Sequence, residues 1–151
     1  MESSVDVAAL LFAEGYNCSQ ALLAAHAEEL GISEDAAYKM GSVFGAGIGR
    51  AGEVCGAVTG ALMVIGLKCG CVDPADKPRK EHTYGLARRF LEDFSRREGS
   101  ILCRDLLGRR IDQPEALEEA RRQGLFEAIC PRVVMTAAEI VREIIDREPP
   151  A

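Results

Sequence analysis

Apolar residues recur three or four positions apart along most of the chain, and no segment alternates as a β-strand would. This pattern predicts helices over about residues 6–12, 18–30, 79–97 and 131–146, and the apolar run 53–67 predicts a buried helix. Capping and turn residues predict three more, one after Ser33, one ending before Gly108 and a weak one near Pro114. The predicted fold is therefore all-α: a single compact bundle of about six or seven helices with short loops, forming one domain over residues 1–151.

Composition restricts the class of protein. The chain has no Trp and only 5% aromatic residues, so its core must consist mainly of Leu, Ile, Val and Ala. A net charge of −6 argues against nucleic acid and against anionic membranes as partners. No apolar run reaches transmembrane length, and Glu2 and Asp6 lie where a signal peptide would carry basic residues. We therefore expect a cytoplasmic protein that does not insert into membranes.

Four of the six cysteines lie where the pattern predicts a helix to begin. Each would then meet free N–H groups and a partial positive charge, both of which stabilise a thiolate. In a reducing compartment, such cysteines usually serve redox chemistry or metal binding. We expect the four to lie together in space, as metal ligands or as exchangeable pairs: Cys18, Cys55, Cys103 and Cys130, the last as the cap before Pro131. Cys69 and Cys71 fall in a predicted loop and are expected to be incidental or auxiliary.

The cysteine spacing matches no common metal motif. The chain has no Cys-x-x-Cys pair and no nearby pair of histidines, which excludes the usual zinc patterns, and the ferredoxin spacings are absent as well. His26 and His82 are each isolated and are not expected to be ligands. A metal site would therefore need cysteines from separate helices to converge, and simple burial of some cysteines is the alternative.

A glycine-rich segment precedes the second of these cysteines. Four glycines occur within residues 45–52, which permits left-handed backbone and close approach of the chain. The segment follows a predicted helix, whereas a nucleotide-binding fingerprint would follow a strand. We expect it to pack against the cysteines, with cofactor-binding positions at Gly45, Gly47, Gly49 and Gly56. Because glycines surround Cys55, this residue is predicted to be the most reactive cysteine and the catalytic one.

Five segments together resemble a known family. They are Asn17-Cys18-Ser-Gln-Ala21, Gly45-Ala-Gly-Ile-Gly-Arg50, Cys55-Gly-Ala-Val-Thr-Gly-Ala61, Cys103-Arg-Asp-Leu-Leu-Gly108 and Cys130-Pro131. With them, the chain from about Gly15 to Ile145 resembles the C_GCAxxG_C_C family of redox-active proteins, which is named for its cysteine pattern. The resemblance implies redox function, and a similar segment beside haem in split-Soret cytochromes suggests electron transfer. The chain has no Cys-x-x-Cys-His, so covalent c-type haem is not expected.

Three classes of function compete. The first is a redox protein that uses the clustered cysteines for electron transfer or thiol–disulfide exchange. In this class the four cysteines could also hold an iron–sulfur cluster or another thiolate-bound metal. The second is an enzyme with Cys55 as nucleophile, although no paired histidine is evident. The third is a structural or interaction module with buried cysteines. The expected partner is a redox partner of unspecified identity, and a homodimer is a further option.

Overall fold

Residues 2–149 are described by the computed structural model, and they form nine α-helices and no β-strand. The helices are α1 (Ser4–Ala13), α2 (Cys18–Ala25), α3 (Ala27–Leu30), α4 (Glu34–Gly41), α5 (Gly56–Cys69), α6 (Lys77–Glu98), α7 (Cys103–Leu107), α8 (Pro114–Arg122) and α9 (Leu125–Asp146). A 3₁₀ turn, Ser42–Phe44, follows α4. The predicted all-α class is confirmed, although the described residues contain somewhat more helices than the predicted six or seven.

One cause of the higher count is a break in the segment 18–30, which the sequence pattern predicts as one helix. His26 leaves helical geometry with φ −113° and ψ 0° and separates α2 from α3. Its Nδ1 lies 2.9 Å from the carbonyl oxygen of Leu22. The ring therefore competes with the backbone for a helical carbonyl, and the chain turns before it continues.

The core forms around α5, which packs against α2, α6 and α9. Gly60 lets α2 approach closely, since a Cβ there would lie 2.8 Å from the Leu22 Cβ and 2.9 Å from the Ser19 carbonyl oxygen. The fully buried rings of Phe90 and Phe94 on α6 fill the opposite side. None of the helices within residues 2–149 combines the length and apolar character needed to cross a bilayer.

The start of α5 differs from the prediction because the residues before it pair with a distant segment. Cys55 donates its N–H to the Ile101 carbonyl at 2.8 Å, and Cys103 donates to the Glu53 carbonyl at 2.7 Å. Val54 and Leu102 form an isolated antiparallel bridge between them. This pairing keeps Glu53 and Val54 out of the helix, so α5 begins at Gly56. It also places the start of α7 beside the start of α5.

The prediction that Cys130 starts the last helix is wrong. α9 begins at Leu125, directly after Gly124, whose φ of 65° ends the preceding turn. Pro131 therefore lies inside α9, where it removes one backbone hydrogen bond. Phe126, Ile129 and Cys130 all pack against buried residues of the protein. This packing offsets the lost bond, and Cys130 lies in the second turn of the helix.

Candidate functional site

Four cysteines from separate parts of the chain line one cavity of about 520 Å³. Cys18 and Cys103 are the first residues of α2 and α7, Cys55 is the N-cap of α5, and Cys130 comes from the side of α9. All four are free thiols. Three are buried, and Cys130 is half-buried. The structure thus brings the four cysteines together, although only three of them lie at a helix start.

Cys18 occupies the centre of this group. The neighbouring thiols of Cys130 and Cys55, together with burial, raise the pKa of Cys18 well above its usual value. The helix N-terminus therefore does not produce a Cys18 thiolate. Cys18 keeps its proton while Cys55 can ionise.

Cys55 has the opposite tendency. The Cys18 thiol lowers the pKa of Cys55, and the backbone N–H groups of Ala57 and Val58 lower it further, while burial acts against them. Both amides belong to the first turn of α5, and the Val58 N–H also donates to the Cys55 carbonyl at 3.0 Å. Cys55 is therefore the thiol that ionises most readily, and Cys18 is the donor that stabilises its thiolate.

Cys103 remains protonated. Burial raises the pKa of Cys103 to about 12, and charge on Cys55 or Cys130 raises it as well. α7 is only a five-residue helix and gives little compensation for the buried charge. A second thiolate beside an ionised Cys55 is thus disfavoured.

The loop before α5 is a left-handed turn. Five consecutive residues, 46–50, have φ between +51° and +70°, and three of them, Ala46, Ile48 and Arg50, are not glycine. Left-handed backbone costs an L-residue roughly 1–2 kcal/mol, and it is rarest for β-branched side chains. The N–H groups of Gly49 and Glu53 reach back to the Val43 and Gly47 carbonyls, both at 2.9 Å. Strained backbone of this kind is characteristic of functional sites.

The four glycines predicted to bind a cofactor lie in different surroundings. A Cβ on Gly47 would lie 2.7 Å from the Cys103 Cβ, and one on Gly56 would lie 3.2 Å from the Cys18 Cβ. Both residues line the cavity. Gly45 packs instead on the Asn17 side chain, and Gly49 has open space around it. The glycine segment therefore contacts the cysteines through Gly47, while cofactor binding stays a prediction for all four glycines.

Asn17 fixes the position of Cys18. Its Oδ1 accepts the Gln20 N–H at 2.9 Å, and the Gln20 Oε1 accepts the Asn17 N–H at 3.0 Å, which forms a reciprocal capping box. The Asn17 Nδ2 also donates to the carbonyls of Gly41 and Ser42 at 3.2 and 3.3 Å. The first turn of α2 is thus anchored to the end of α4, so Cys18 has little freedom to move away from Cys55.

The remaining cysteines and the histidines lie away from the cavity. Cys69 is buried at the end of α5 and its Sγ donates to the Ile65 carbonyl at 3.1 Å, while the Cys71 Sγ donates to the Asp73 carbonyl at 3.0 Å. Burial lowers the pKa of His26, and its Nε2 has no hydrogen-bond partner. His82 pairs with Glu148 on the surface. None of these residues lines the cavity.

The four cysteine sulfurs of the cavity are the type of ligand that soft metal ions prefer. Four cysteine sulfurs are the usual ligands of zinc and of iron–sulfur clusters. Within residues 2–149, however, no three Cys, His, Asp or Glu side chains converge in an arrangement that could hold a metal ion. Metal binding would thus require these cysteine side chains to move, and the structure establishes no cofactor.

Two features of the site are missing from the sequence prediction. The first is the apolar wall of the cavity, to which α1 and α9 contribute Phe12 and Phe126. The second is a pair of parallel rings at its edge, where Tyr16 stacks on Tyr38 with centroids 4.2 Å apart. In the sequence of an all-α protein, apolar residues that line a cavity look the same as residues of the core. The only sequence signal for these two features is Tyr16, which lies next to the Asn17 cap.

Comparison with protein families gives one match. Residues 16–144 match the family model described as "Putative redox-active protein (C_GCAxxG_C_C)". Neither the curated proteins nor the solved structures contain a significant match. The family match spans most of the chain and includes all four cavity cysteines.

Proposed function

The chain belongs to the C_GCAxxG_C_C family of redox-active proteins, and from this premise we propose that it performs thiol–disulfide exchange with Cys55 as the attacking thiolate. The observation that carries the proposal is the pair of Cys55 and Cys18 in one cavity, whose pKa values shift in opposite directions. Thiolates, not thiols, attack disulfides. The pair therefore supplies one nucleophile and one thiol that holds its proton until the second step.

The first step uses Cys55 alone. Its thiolate attacks one sulfur of a substrate disulfide, a bond forms between that sulfur and the Cys55 Sγ, and the substrate S–S bond breaks. One substrate thiolate leaves with the bonding electron pair. The Cys55 sulfur is then uncharged, so one cause of the raised pKa of Cys18 disappears.

The second step uses Cys18. It gives its proton to the departing thiolate and attacks the Cys55 sulfur, which forms a Cys18–Cys55 disulfide and releases the second half of the substrate. The protein is thereby oxidised by two electrons and the substrate is reduced to two thiols. A dithiol of suitable potential would run the sequence in reverse and restore the protein.

Equilibration in a redox buffer tests this assignment. The protein is incubated with mixtures of reduced and oxidised dithiothreitol, acid-quenched and mapped by mass spectrometry. We expect a Cys18–Cys55 disulfide whose population follows the buffer potential, and we expect Cys55→Ser to remove it while Cys69→Ser does not. A protein that forms no disulfide at any ratio, or only one between Cys69 and Cys71, would refute the proposal.

A thiolate-bound metal or iron–sulfur cluster is the second candidate. It is favoured by one observation, the arrangement of four cysteines around a single cavity of about 520 Å³. In that case Cys18, Cys55, Cys103 and Cys130 would be the ligands, and an iron–sulfur cluster would supply one-electron chemistry. Anaerobic reconstitution with iron and sulfide tests it: visible absorbance that is lost in Cys103→Ser as well as in Cys55→Ser would favour the cluster.

The two other classes have less support. A cysteine-nucleophile enzyme normally pairs its cysteine with a histidine, and within residues 2–149 no histidine lines the cavity. A purely structural module has no need of a cysteine with a lowered pKa beside an open cavity. Exchange chemistry therefore explains more of the site than either alternative.

A further inference from the structure

We infer that the cysteine cavity binds a small, uncharged, mostly apolar disulfide, and that it discriminates against anionic disulfides such as those of peptide thiols that carry carboxylates. This inference rests on the proposed exchange function and names its substrate class. It is argued from the shape of the cavity, its apolar wall and the sign of the charge at its rim.

The cavity continues well beyond the sulfurs. Its volume of about 520 Å³ lies within the range of small-molecule sites, about 300–1,000 Å³. Most of the other lining residues are apolar, and they include Ala9 and Phe12 of α1, Leu106 of α7, and Phe126, Ile129 and Val133 of α9. The Phe12 and Phe126 rings are only half-buried, so each leaves apolar surface that a ligand would cover. Covering apolar surface is favourable by about 25 cal/mol per Å².

The formal charge at the cavity opposes an anionic ligand. Among the described lining residues, the only charged side chain is that of Glu127, which is exposed at the rim. The reacting thiolate of Cys55 adds a second negative charge inside. The Asn17 amide is already committed to the α2 cap and to the Gly41 and Ser42 carbonyls. A carboxylate in this cavity would thus lose water without gaining a cationic partner, which is strongly unfavourable.

The net charge of the chain acts in the same direction. At −6 it disfavours the approach of anions from solution, whereas an uncharged molecule is unaffected. Exchange with the apolar disulfide then follows the two steps given above, and both thiol products are uncharged once protonated.

A binding experiment tests the cavity without any sulfur chemistry. Dipyridylethane has the shape of dipyridyl disulfide, but two carbons replace its two sulfurs, so it can bind and cannot react. We expect calorimetry to detect binding that Ala9→Phe weakens about tenfold or more, because the new ring fills space at the wall. Leu10→Phe is the matched control, since Leu10 lies on the same helix, is 49% exposed and does not line the cavity. Absence of binding, or equal binding by both variants with intact helical circular dichroism, would overturn the inference.

A kinetic experiment tests discrimination by charge. Rates are measured for dipyridyl disulfide, neutral hydroxyethyl disulfide and the dianionic dinitrobenzoate disulfide, and each is divided by its rate with free mercaptoethanol. We expect the normalised rate to favour the dipyridyl compound over the dianion about tenfold or more. Glu127→Gln should accelerate the dianion selectively, whereas Glu143→Gln, exposed on the same helix away from the cavity, should not.

The outcomes separate this inference from the function on which it rests. Equal normalised rates for all three disulfides would overturn the inference and leave the exchange proposal intact. Binding of dipyridylethane without reaction of any disulfide would overturn the exchange proposal and leave the apolar ligand class intact.

Discussion

The two ends of α5 each carry a buried cysteine, and the two cysteines differ in chemistry. Cys55 precedes the first turn and Cys69 is the last residue, with 5% and 2% of their surfaces exposed. The pKa of Cys55 is lowered, first by the Cys18 thiol and then by backbone amides. Burial raises the pKa of Cys69, whose Sγ donates to the Ile65 carbonyl. Similar exposure thus accompanies opposite shifts, because Cys55 has the Cys18 thiol and the first-turn N–H groups of α5 beside it, whereas burial dominates at Cys69.

The surroundings of the two ends also differ. The start of α5 borders an open cavity and a left-handed turn. At its end, the Thr83 Oγ1 donates to the Cys69 carbonyl at 2.8 Å, and Gly70 donates to the Gly66 carbonyl at 2.8 Å. Backbone groups at this end are satisfied by the protein itself. A substrate could therefore reach only the first end without local unfolding.

The largest expected effect is on thiol reactivity. With iodoacetamide at neutral pH, we expect Cys55 to be alkylated faster than Cys69, because the pKa of Cys55 is lowered, that of Cys69 is raised, and only the thiolate reacts. Peptide mapping by mass spectrometry assigns the labelled residue and separates it from the more exposed Cys71. Cys55→Ser should remove the fast cavity phase and Cys69→Ser should leave it. Comparable rates at Cys55 and Cys69 would show that helix polarity does not control these thiols.

The next largest effect is on stability, and it concerns the left-handed turn, residues 46–50, that precedes the Cys55 end of α5. A Cβ on Gly47 would lie 2.6 Å from the Glu53 N and 2.7 Å from the Cys103 Cβ, and its φ is +70°. Gly47→Ala should therefore lower the free energy of unfolding by about 2–5 kcal/mol, since backbone strain and overpacking add. Gly49→Ala is the control: its φ is +57°, but nothing lies within 4 Å, so only about 1–2 kcal/mol is expected. Equal losses in urea unfolding would mean that the contact with Cys103 contributes nothing.

These two positions also show how far the sequence alone leads. The glycine spacing predicts close backbone approach near the cysteines, and Gly47 does lie against Cys103. It does not predict that Ala46, Ile48 and Arg50 share the left-handed conformation, because such residues adopt it only when tertiary contacts impose it. Those contacts include the pairing of residues 52–55 with 101–104, which joins segments almost fifty positions apart.

The helix boundaries also show which features the sequence predicts and which depend on tertiary contacts. The apolar pattern predicts the all-α class and the buried helix α5, since periodicity is a local property. Pro131 indicates a helix start when only propensity is considered. The packing of Phe126 and Ile129 against the interior decides otherwise, and α9 continues through the proline. Local signals therefore identify the elements, and tertiary packing determines where they begin.

A smaller effect is expected when the donor to Cys55 is removed. The Cys18 thiol makes the largest contribution to the lowered pKa of Cys55, so Cys18→Ala should raise that pKa and move the alkylation profile to higher pH. A hydrogen bond to a charged group is worth about 1.5–3 kcal/mol, and the lower end of this range predicts a rate about tenfold lower at neutral pH. Cys18→Ser keeps a donor in the same place and should retain most of the rate. If Cys18→Ala reacts as the wild type does, the amides of α5 suffice by themselves.

The smallest expected effect is on stability in alkali, and it concerns the thiols that resist ionisation. Burial raises the pKa of Cys103 to about 12, whereas an unfolded thiol titrates near 9.0. Above pH 9 the unfolded chain releases this proton and the folded protein keeps it, so the stabilisation is complete below that pH and is lost as pH rises towards 12. Cys103 should account for a loss of about 1 kcal/mol in the free energy of unfolding per pH unit in this interval.

Urea unfolding at a series of pH values measures this slope, which should become shallower in Cys103→Ala. Cys71→Ala removes one thiol from a half-exposed loop position and is the matched control. Since Cys103→Ala also leaves a cavity, the slope and not the absolute stability is decisive, and an unchanged slope would mean that Cys103 ionises in the folded protein as it does in the unfolded chain.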